Sequence, residues 1–228
     1  RRRELQLKKI NNKIKIIKKY KVKYLIEKGD ILENNFAEEF SKKTLRKFKR
    51  IDILIHNVGG GGRWGNDNIF KTKFNVWDEV YEKNNKGVII FSNYFLPTMI
   101  KNNWGRVIAI GSVCGIEARK EDRAWFNAAK AAQHAIIKSF SNKHYLTKRN
   151  ITFNSISPGP IFIKNTGWDD QRKKNPKKFK KYLNEFIPVK NIGTPDDVAN
   201  LCLFLSSDYS KYINGSNIII DGGVSNAI

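Results

Sequence analysis

The stretch IDILIHNV, residues 51–58, is a nearly unbroken apolar run that leads into four consecutive glycines. Such a run is typical of a parallel strand buried on both faces, because a strand with one solvated face would alternate apolar and polar residues. Further runs that predict strands stand at 22–27 (VKYLIE), 105–111 (GRVIAIG), 151–159 (ITFNSISPG) and 216–223 (SNIIIDGG).

Helical patterns fill the intervals between these runs. We predict helices over 34–50, 76–102, 124–145 and 194–207. Strands that alternate strictly with helices predict one α/β domain over residues 1–228, a doubly wound parallel sheet with helices on both faces.

Residues 160–190 depart from this alternation and hold nine basic and three acidic residues. A segment inserted between a strand and the next helix commonly covers a binding crevice, so we predict a substrate lid here. Its basic charge favours an anionic substrate, and lysine-rich codon usage explains the charge equally well.

The net charge of +22 raises the question of a nucleic-acid partner. Of the 43 basic residues 32 are lysine and 11 are arginine, and asparagine and isoleucine are also abundant, as in AT-rich coding DNA. A dedicated nucleic-acid binder would interleave arginine with exposed aromatic residues. We therefore predict a solvated basic surface and no nucleic-acid partner.

The cysteines and the hydropathy pattern bear on two further properties, metal binding and membrane association. Cys114 and Cys202 lack metal-ligand spacing, which predicts reduced thiols in a cytoplasmic protein and no metal site. No apolar run approaches the roughly 20 residues that span a bilayer, so we predict no membrane association.

Gly60, Gly62 and Gly65 formally match the dinucleotide fingerprint G-x-G-x-x-G. That fingerprint should open a helix at once, so that pyrophosphate meets free N–H groups at the helix N-terminus. Here the polar segment NDNIFKTKFN follows instead. We predict that these glycines form a wall beside a ligand and do not bind pyrophosphate.

A more specific signal is a series of short motifs in fixed order. The series consists of HNVGG (56–60), NNKG (84–87), GSVCG (111–115), FNAAK (126–130), SPG (157–159) and DGG (221–223). From about residue 20 to the C-terminus it resembles the short-chain dehydrogenase/reductase family. The resemblance implies a Rossmann-type sheet, a dinucleotide across the carboxyl ends of its strands, and a homo-dimer or homo-tetramer.

The resemblance also implies a catalytic set. Ser112 would hydrogen-bond the substrate oxygen, Lys130 would bind the nicotinamide ribose, and Asn84 would hold a water that connects the lysine to solvent. Two of these residues also have a purely structural interpretation: Ser112 as a polar strand end and Asn84 as a capping or solvent-facing amide. A lysine within AAKAA would lie on a tightly packed helix face, and a buried lysine is rare unless its charge has a partner. We therefore expect a ligand to contact Lys130.

Phe126 occupies the position of the family's catalytic tyrosine, and a phenyl ring transfers no proton. Three alternatives stay open: another acid, a reaction that needs none, or cofactor binding without turnover. The candidate acids are Glu117, Glu121, Asp122, His134 and a water held by Lys130.

The resemblance implies cofactor contacts from several further positions. Asp30 would contact the adenine ring, Asn57 and Gly59 would shape the cofactor pocket, and Pro158, Gly159 and Ile161 would reach the nicotinamide carboxamide. Three arginines at positions 1–3 fall where basic residues favour NADP over NAD.

Family members begin with a strand and a T-G-x-x-x-G-I-G turn, and neither occurs in these residues. The resemblance thus predicts that the sequence lacks the first βαβ segment and is N-terminally truncated. HNVGGGGRWG, WFNAAKAA and NTGWDD further resemble a subgroup linked to bacterial surface-polysaccharide and sugar biosynthesis. We predict an NAD(P)-dependent oxidoreductase for a hydroxyl or carbonyl group of a small polar, anionic or sugar-like substrate; the alternative is a catalytically impaired cofactor-binding or interaction protein.

Overall fold

The structure, a computed structural model, describes residues 14–33, 35–66, 68–118 and 123–227. Its centre is a parallel sheet in the order β1-β2-β3-β4. The strands are β1 Ile53–His56, β2 Gly105–Ile110, β3 Ile151–Pro158 and β4 Asn217–Ile220.

Helices connect and flank these strands. They are α1 Phe36–Phe48, α2 Phe74–Asn102, α3 Ala124–Ser141, α4 His144–Thr147, α5 Gly167–Lys174, α6 Pro176–Phe186 and α7 Pro195–Leu205. Residues 14–19 are also helical, and three short 3-10 turns lie at Ile69–Lys71, Val113–Gly115 and Asp208–Ser210. The capping box of Thr194 and Asp197 begins α7, as its first turn predicts.

The sheet carries a core on each face, because successive strand residues point to opposite sides. On one face α2 and α3 pack on Val107, Ala109 and Phe153. On the other face α7 packs on Ile108 and Ile156. This is the doubly wound α/β architecture that the sequence predicts.

β1 departs from this two-sided burial. Leu54 and His56 point into the first core and are buried, whereas Ile53 and Ile55 are 41% and 45% exposed. Within the described residues β1 is one of the two edge strands of the sheet, and β4 is the other. The prediction of a strand buried on both faces is therefore correct on one face only.

One predicted strand is wrong. Residues 22–30 form no regular element, and Val22 and Ile26 are 55% and 45% exposed. A strand exists only where a neighbour pairs with its backbone groups, and the described part of the chain supplies none for this segment.

The predicted helices are confirmed with adjusted bounds. The helix predicted over 124–145 ends at Ser141, and a separate turn of helix follows from His144. Asn34, the predicted start of the first helix, lies outside the described residues. In the segment 160–190 the structure contains two helices, α5 and α6, which the sequence analysis did not predict.

Candidate active site

Ser112 follows β2 at the carboxyl edge of the sheet. The 3-10 turn Val113–Gly115 begins there, and the Ser112 Oγ accepts a hydrogen bond from the Cys114 backbone N–H at 3.2 Å. Ser112 and Cys114 line a cavity of about 1180 Å³, together with Pro158 and Gly159 at the end of β3. Two strand ends thus bring three predicted site residues to one cavity.

Lys130 lies on α3 and is only 4% exposed. Its Nζ donates to the Ile110 carbonyl oxygen at 2.8 Å and to the Gln133 Oε1 at 3.1 Å. Burial lowers the pKa of Lys130 to about 8, and the charge interaction with Cys114 opposes that shift. The acceptor residue, Ile110, stands two positions before Ser112 in the chain. The bond therefore holds the lysine ammonium near the end of β2 that leads to Ser112.

Asn84, on α2, is fully buried and fixes the loop after β1. Its Oδ1 accepts from the Gly60 N–H at 3.1 Å, and its Nδ2 donates to the Gly60 carbonyl at 2.9 Å and the Val80 carbonyl at 2.7 Å. A Cβ on Gly59 would come within 2.5 Å of Asn84 Oδ1 and 3.1 Å of Lys130 Nζ. Glycine is therefore required where this loop approaches the lysine.

Phe126 lies one helical turn before Lys130, with its ring centroid 6.0 Å from the lysine Nζ. It packs with the buried cluster of Val80, Trp125 and Ala129. A Cβ on Gly62 would lie 3.4 Å from the Phe126 ring. The ring is thus an integral part of the packing beside the lysine.

The glycines after β1 pack against the helix that carries Lys130, and their role as a wall beside a ligand stays a prediction. The Gly61 carbonyl oxygen accepts a hydrogen bond from Trp125 Nε1 at 3.1 Å, and the Phe126 ring occupies the space beside Gly62 that a Cβ would approach. The next α-helix begins only at Phe74, so the fingerprint glycines do not open a helix.

The remaining predicted cofactor residues have separate positions. Asn57 is exposed just after β1, and Ile161 forms an isolated bridge with Gly193. The contacts of Asp30 are local, since its carboxylate accepts from the Leu32 N–H at 3.0 Å. Arg1, Arg2 and Arg3 lie outside the described residues.

The candidate replacement acids differ in where they lie. Glu117 lines the cavity, and its carboxylate accepts from the Asn226 N–H at 2.6 Å. His134 faces β3, with ring nitrogens 3.1 Å from Ser155 Oγ and 3.2 Å from Ser157 Oγ. Burial lowers the pKa of His134, so its neutral form is favoured. Glu121 and Asp122 lie outside the described residues.

Aromatic residues of the segment 160–190 form the other side of the cavity. Trp168 on α5 stacks on Tyr182 of α6 with ring centroids 4.9 Å apart, and Tyr182 stacks on Phe186. Lys174 and Lys178 line the same cavity. α5 is anchored by the buried carboxylate of Asp169, which bonds neighbouring basic side chains.

Sequence reasoning missed three residues of this site: His56, Gln133 and Tyr182. Gln133 and His56 both contact the backbone carbonyl of Asn84. These contacts join α3, β1 and α2, and no local sequence pattern predicts them. For Tyr182 a signal existed, because Phe179, Tyr182 and Phe186 recur at helical spacing.

A doubly wound parallel sheet with a crevice at the carboxyl ends of its strands is typical of dinucleotide-binding proteins, and Ser112 and Gly159 lie at that edge. A family profile described as Enoyl-(Acyl carrier protein) reductase matches residues 4–225. One curated relative, a 3-oxoacyl-[acyl-carrier-protein] reductase FabG from Thermotoga maritima, is 31% identical over 86% of this chain and 74% of its own. Another FabG, from Buchnera aphidicola subsp. Schizaphis graminum, is 33% identical over 89% of this chain and 80% of its own. The chain belongs to the short-chain dehydrogenase/reductase family of NAD(P)-dependent oxidoreductases.

The fold agrees with that assignment. A solved 7 alpha-hydroxysteroid dehydrogenase complexed with NADH and 7-oxo glycochenodeoxycholic acid superposes with a TM-score of 0.80. It is 23% identical, and the match covers 94% of this chain and 79% of that one.

The described residues fit the nicotinamide half of such a cofactor. A lysine ammonium has three N–H donors. Ile110 and Gln133 take two of those of Lys130, so one is left for a ribose hydroxyl. Gly59 leaves the open space beside Lys130 that a Cβ would fill. When bound, the cofactor would supply or accept the hydride.

Two other kinds of site, a membrane span and a metal centre, concern the described ranges. No helix among them is long and apolar enough to cross a membrane. Among the same residues, no cluster of histidine, cysteine and acidic side chains could hold a metal ion.

Proposed function

We propose that this protein is an NAD(P)-dependent oxidoreductase that acts on a hydroxyl or carbonyl carbon of a small polar, anionic or sugar-like substrate. The observation that carries the proposal is the joint placement of Ser112 and Lys130. The Ile110 carbonyl ties the lysine to the end of β2, and Ser112 opens onto the large cavity from that same end.

Each of these residues has a role that its contacts permit. Ser112 orients the substrate oxygen from the cavity wall, and Lys130 holds the ribose with its third donor. Asn84 keeps the glycine loop against the lysine through its paired bonds with Gly60. Pro158 and Gly159 line the cavity and would bound the nicotinamide, and Ile161 follows them in the chain.

The substrate class rests on the composition of the opposite wall. Stacked rings of Trp168 and Tyr182 offer flat apolar surfaces on which a sugar ring packs. Lys174 and Lys178 add positive charge that attracts an anionic group. The two relatives are named for 3-oxoacyl substrates, so an acyl thioester is the second substrate to test.

The proton would come from water held by Lys130, because the ring of Phe126 carries no hydroxyl. A group with a pKa of about 8 exchanges protons readily near neutral pH. Glu117 is the second donor to test, since its side chain lines the cavity.

A second function is cofactor binding without turnover. The packing of Phe126 against Trp125 and Val80 favours it, since the catalytic position is filled by an apolar contact. In that case the fold would serve as a cofactor-dependent interaction protein.

Three finer features belong to the same proposal. Arg1, Arg2 and Arg3 favour NADPH over NADH. As in its family, the protein would act as a homo-dimer or homo-tetramer, and its two thiols favour a cytoplasmic location.

The test combines cofactor binding with a turnover screen. Titration with NADPH and NADH by calorimetry gives affinity, and a panel of sugar acids, neutral sugars and a 3-oxoacyl thioester gives turnover. We expect Lys130→Met to weaken cofactor binding at least tenfold and Ser112→Ala to reduce turnover alone. Lys138→Met, an exposed lysine on the same helix, is the matched control.

Three results are decisive. Cofactor binding with turnover of a panel member supports the oxidoreductase. Cofactor binding with no turnover supports the second function. No cofactor binding contradicts both.

A further inference from the structure

A buried chain of polar groups runs from β1 to Lys130 behind the active site. His56 Nε2 lies 3.1 Å from the Asn84 carbonyl oxygen, and Gln133 Nε2 donates to the same oxygen at 2.7 Å. Gln133 Oε1 then accepts from Lys130 Nζ at 3.1 Å. All four residues are less than 5% exposed.

The orientation of the Gln133 amide follows from its two neighbours. The Asn84 carbonyl only accepts hydrogen bonds, and the Lys130 ammonium only donates them. The amide nitrogen must therefore face Asn84 and the amide oxygen must face Lys130. At this position glutamine supplies one donor and one acceptor at the right separation, whereas glutamate lacks the donor and a methionine of similar length lacks both.

The Asn84 carbonyl is consequently occupied by protein. A carbonyl oxygen has two lone pairs, and the His56 and Gln133 donors approach this one. The side chain of Asn84 is used as well, since it pairs with Gly60. Neither part of Asn84 is left to hold a water next to Lys130.

We propose that Gln133 is a positioning residue for Lys130, and that its amide takes the place of a water relay between Lys130 and Asn84. Lys130 then exchanges its proton with solvent on the cavity side, past Ser112 and Cys114. The inference deepens the proposed site and rests on the role proposed there for Lys130.

The titratable groups that face Lys130 in the described structure lie on three elements. They are His56 on β1, Cys114 in the turn after β2 and His134 on α3. Burial lowers the pKa of both histidines, so they are neutral where Lys130 titrates. Cys114 is the group that influences Lys130 there, and Cys114→Ala is therefore a necessary control.

The first experiment reads Lys130 directly by NMR titration of the whole protein labelled with ¹³C and ¹⁵N at lysine, with Lys130→Arg for assignment. Gln133→Glu places a carboxylate beside the ammonium, and we expect it to raise the pKa of Lys130 by about one pH unit or more. Gln133→Met keeps the length without the amide oxygen, and we expect it to lower that pKa. Lys138→Met should leave the titration unchanged.

Opposite shifts in the two variants support the positioning role, because a residue that only packs would not move the titration in two directions. Unchanged titration in both variants, or shifts in the same direction, overturns it. The measurement needs neither cofactor nor turnover, so the inference and the proposed function fail separately.

The second experiment addresses the proton route. Gln133→Ala opens space for water between Lys130 and Asn84, whereas Gln133→Met fills that space. We expect the ammonium protons of Lys130 to exchange at least tenfold faster in Gln133→Ala than in Gln133→Met. Equal exchange rates would overturn the claim that the glutamine closes this route.

Discussion

The Nζ atom of Lys130 lies 6.0 Å from the ring centroid of Phe126, one turn earlier on the same helix. The lysine thus lies beside a ring that cannot transfer a proton. Loss of a positioned general acid costs on the order of 10²–10⁴ in rate. In the proposed function, this pair of residues is therefore the first to vary.

Phe126→Tyr restores a hydroxyl at this position. We expect turnover of the best panel substrate to rise by about 10²-fold or more, with little change in cofactor affinity. Steady-state kinetics checks this, and adding Lys130→Met to the variant should remove the gain. A fall in turnover would instead show that the phenyl ring belongs to a pocket shaped for its substrate.

Asn84→Ala tests the two hydrogen bonds by which the Asn84 side chain holds Gly60 in the loop after β1. The substitution leaves the N–H and carbonyl of Gly60 without their partner, and we expect the free energy of unfolding to fall by about 3 kcal/mol. Urea unfolding measures the change. Asn75→Ala, at an exposed position on the same helix, should change stability by less than about 0.5 kcal/mol. An equal loss in both variants would contradict the assigned contacts.

His56 makes stability depend on pH. Burial lowers its pKa to about 4 from the ordinary 6.5, so between these values the unfolded chain binds a proton that the folded one does not. Stability contributed by the neutral ring is complete above pH 6.5, falls as the pH drops to about 4, and is then lost, by about 3 kcal/mol. His56→Gln should flatten this slope in urea unfolding across that range.

His144→Gln, at an exposed histidine, is the matched control variant. A slope of the same steepness in His56→Gln and in the unaltered protein would assign it to other groups. His134, whose pKa burial also lowers, is the first of these to replace.

Asp169 should stabilise α5 only above acidic pH. Hydrogen bonds from Lys173, the Asn165 N–H and Arg172 hold the pKa of this carboxyl well below its usual range. Its contribution is therefore present above about pH 4 and is lost as the pH falls further. Asp169→Asn should lower stability at pH 7, and the difference from the unaltered protein should shrink below pH 4.

Asp170→Asn is the matched control for that change, since Asp170 is the exposed neighbour on the same helix. Unfolding followed by tryptophan fluorescence reports on Trp168 among the other indoles. A loss that persists unchanged below pH 4 would mean that the asparagine disturbs packing and that charge is not the cause.

Much of the fold was predictable because a buried parallel strand requires a continuous run of apolar residues, which is visible in the local sequence. GRVIAIG and ITFNSISPG each became a strand within two residues of the predicted bounds. VKYLIE has the same local character and formed none, since pairing depends on a neighbour and local sequence does not specify one. The helix α6 carried a periodic signal in Phe179, Tyr182 and Phe186 that its high charge obscured, whereas α5 has a single large apolar residue, Trp168, and carried none.

The residues of the candidate site likewise include some that the sequence predicted and some, Gln133 among them, that it did not. Ser112 and Lys130 were predictable because a motif series fixes their order and the sheet brings strand ends together. Gln133 was not, since a glutamine after AAKAA has the appearance of an ordinary helix residue. Its significance arises only when α3 packs on α2, a contact that depends on the whole tertiary structure.

The half-exposed strand β1 also implies a gradient of local opening across the sheet. β3 is buried along nearly its whole length and has a partner strand on each side, whereas β1 pairs with β2 alone in the part of the chain that the structure describes. Fluctuations that break the β1–β2 ladder therefore uncover less apolar surface than those that free β3. Because the loop of Gly59 and Gly60 starts from β1, we expect these openings to loosen the backbone that lies against Asn84 and Lys130.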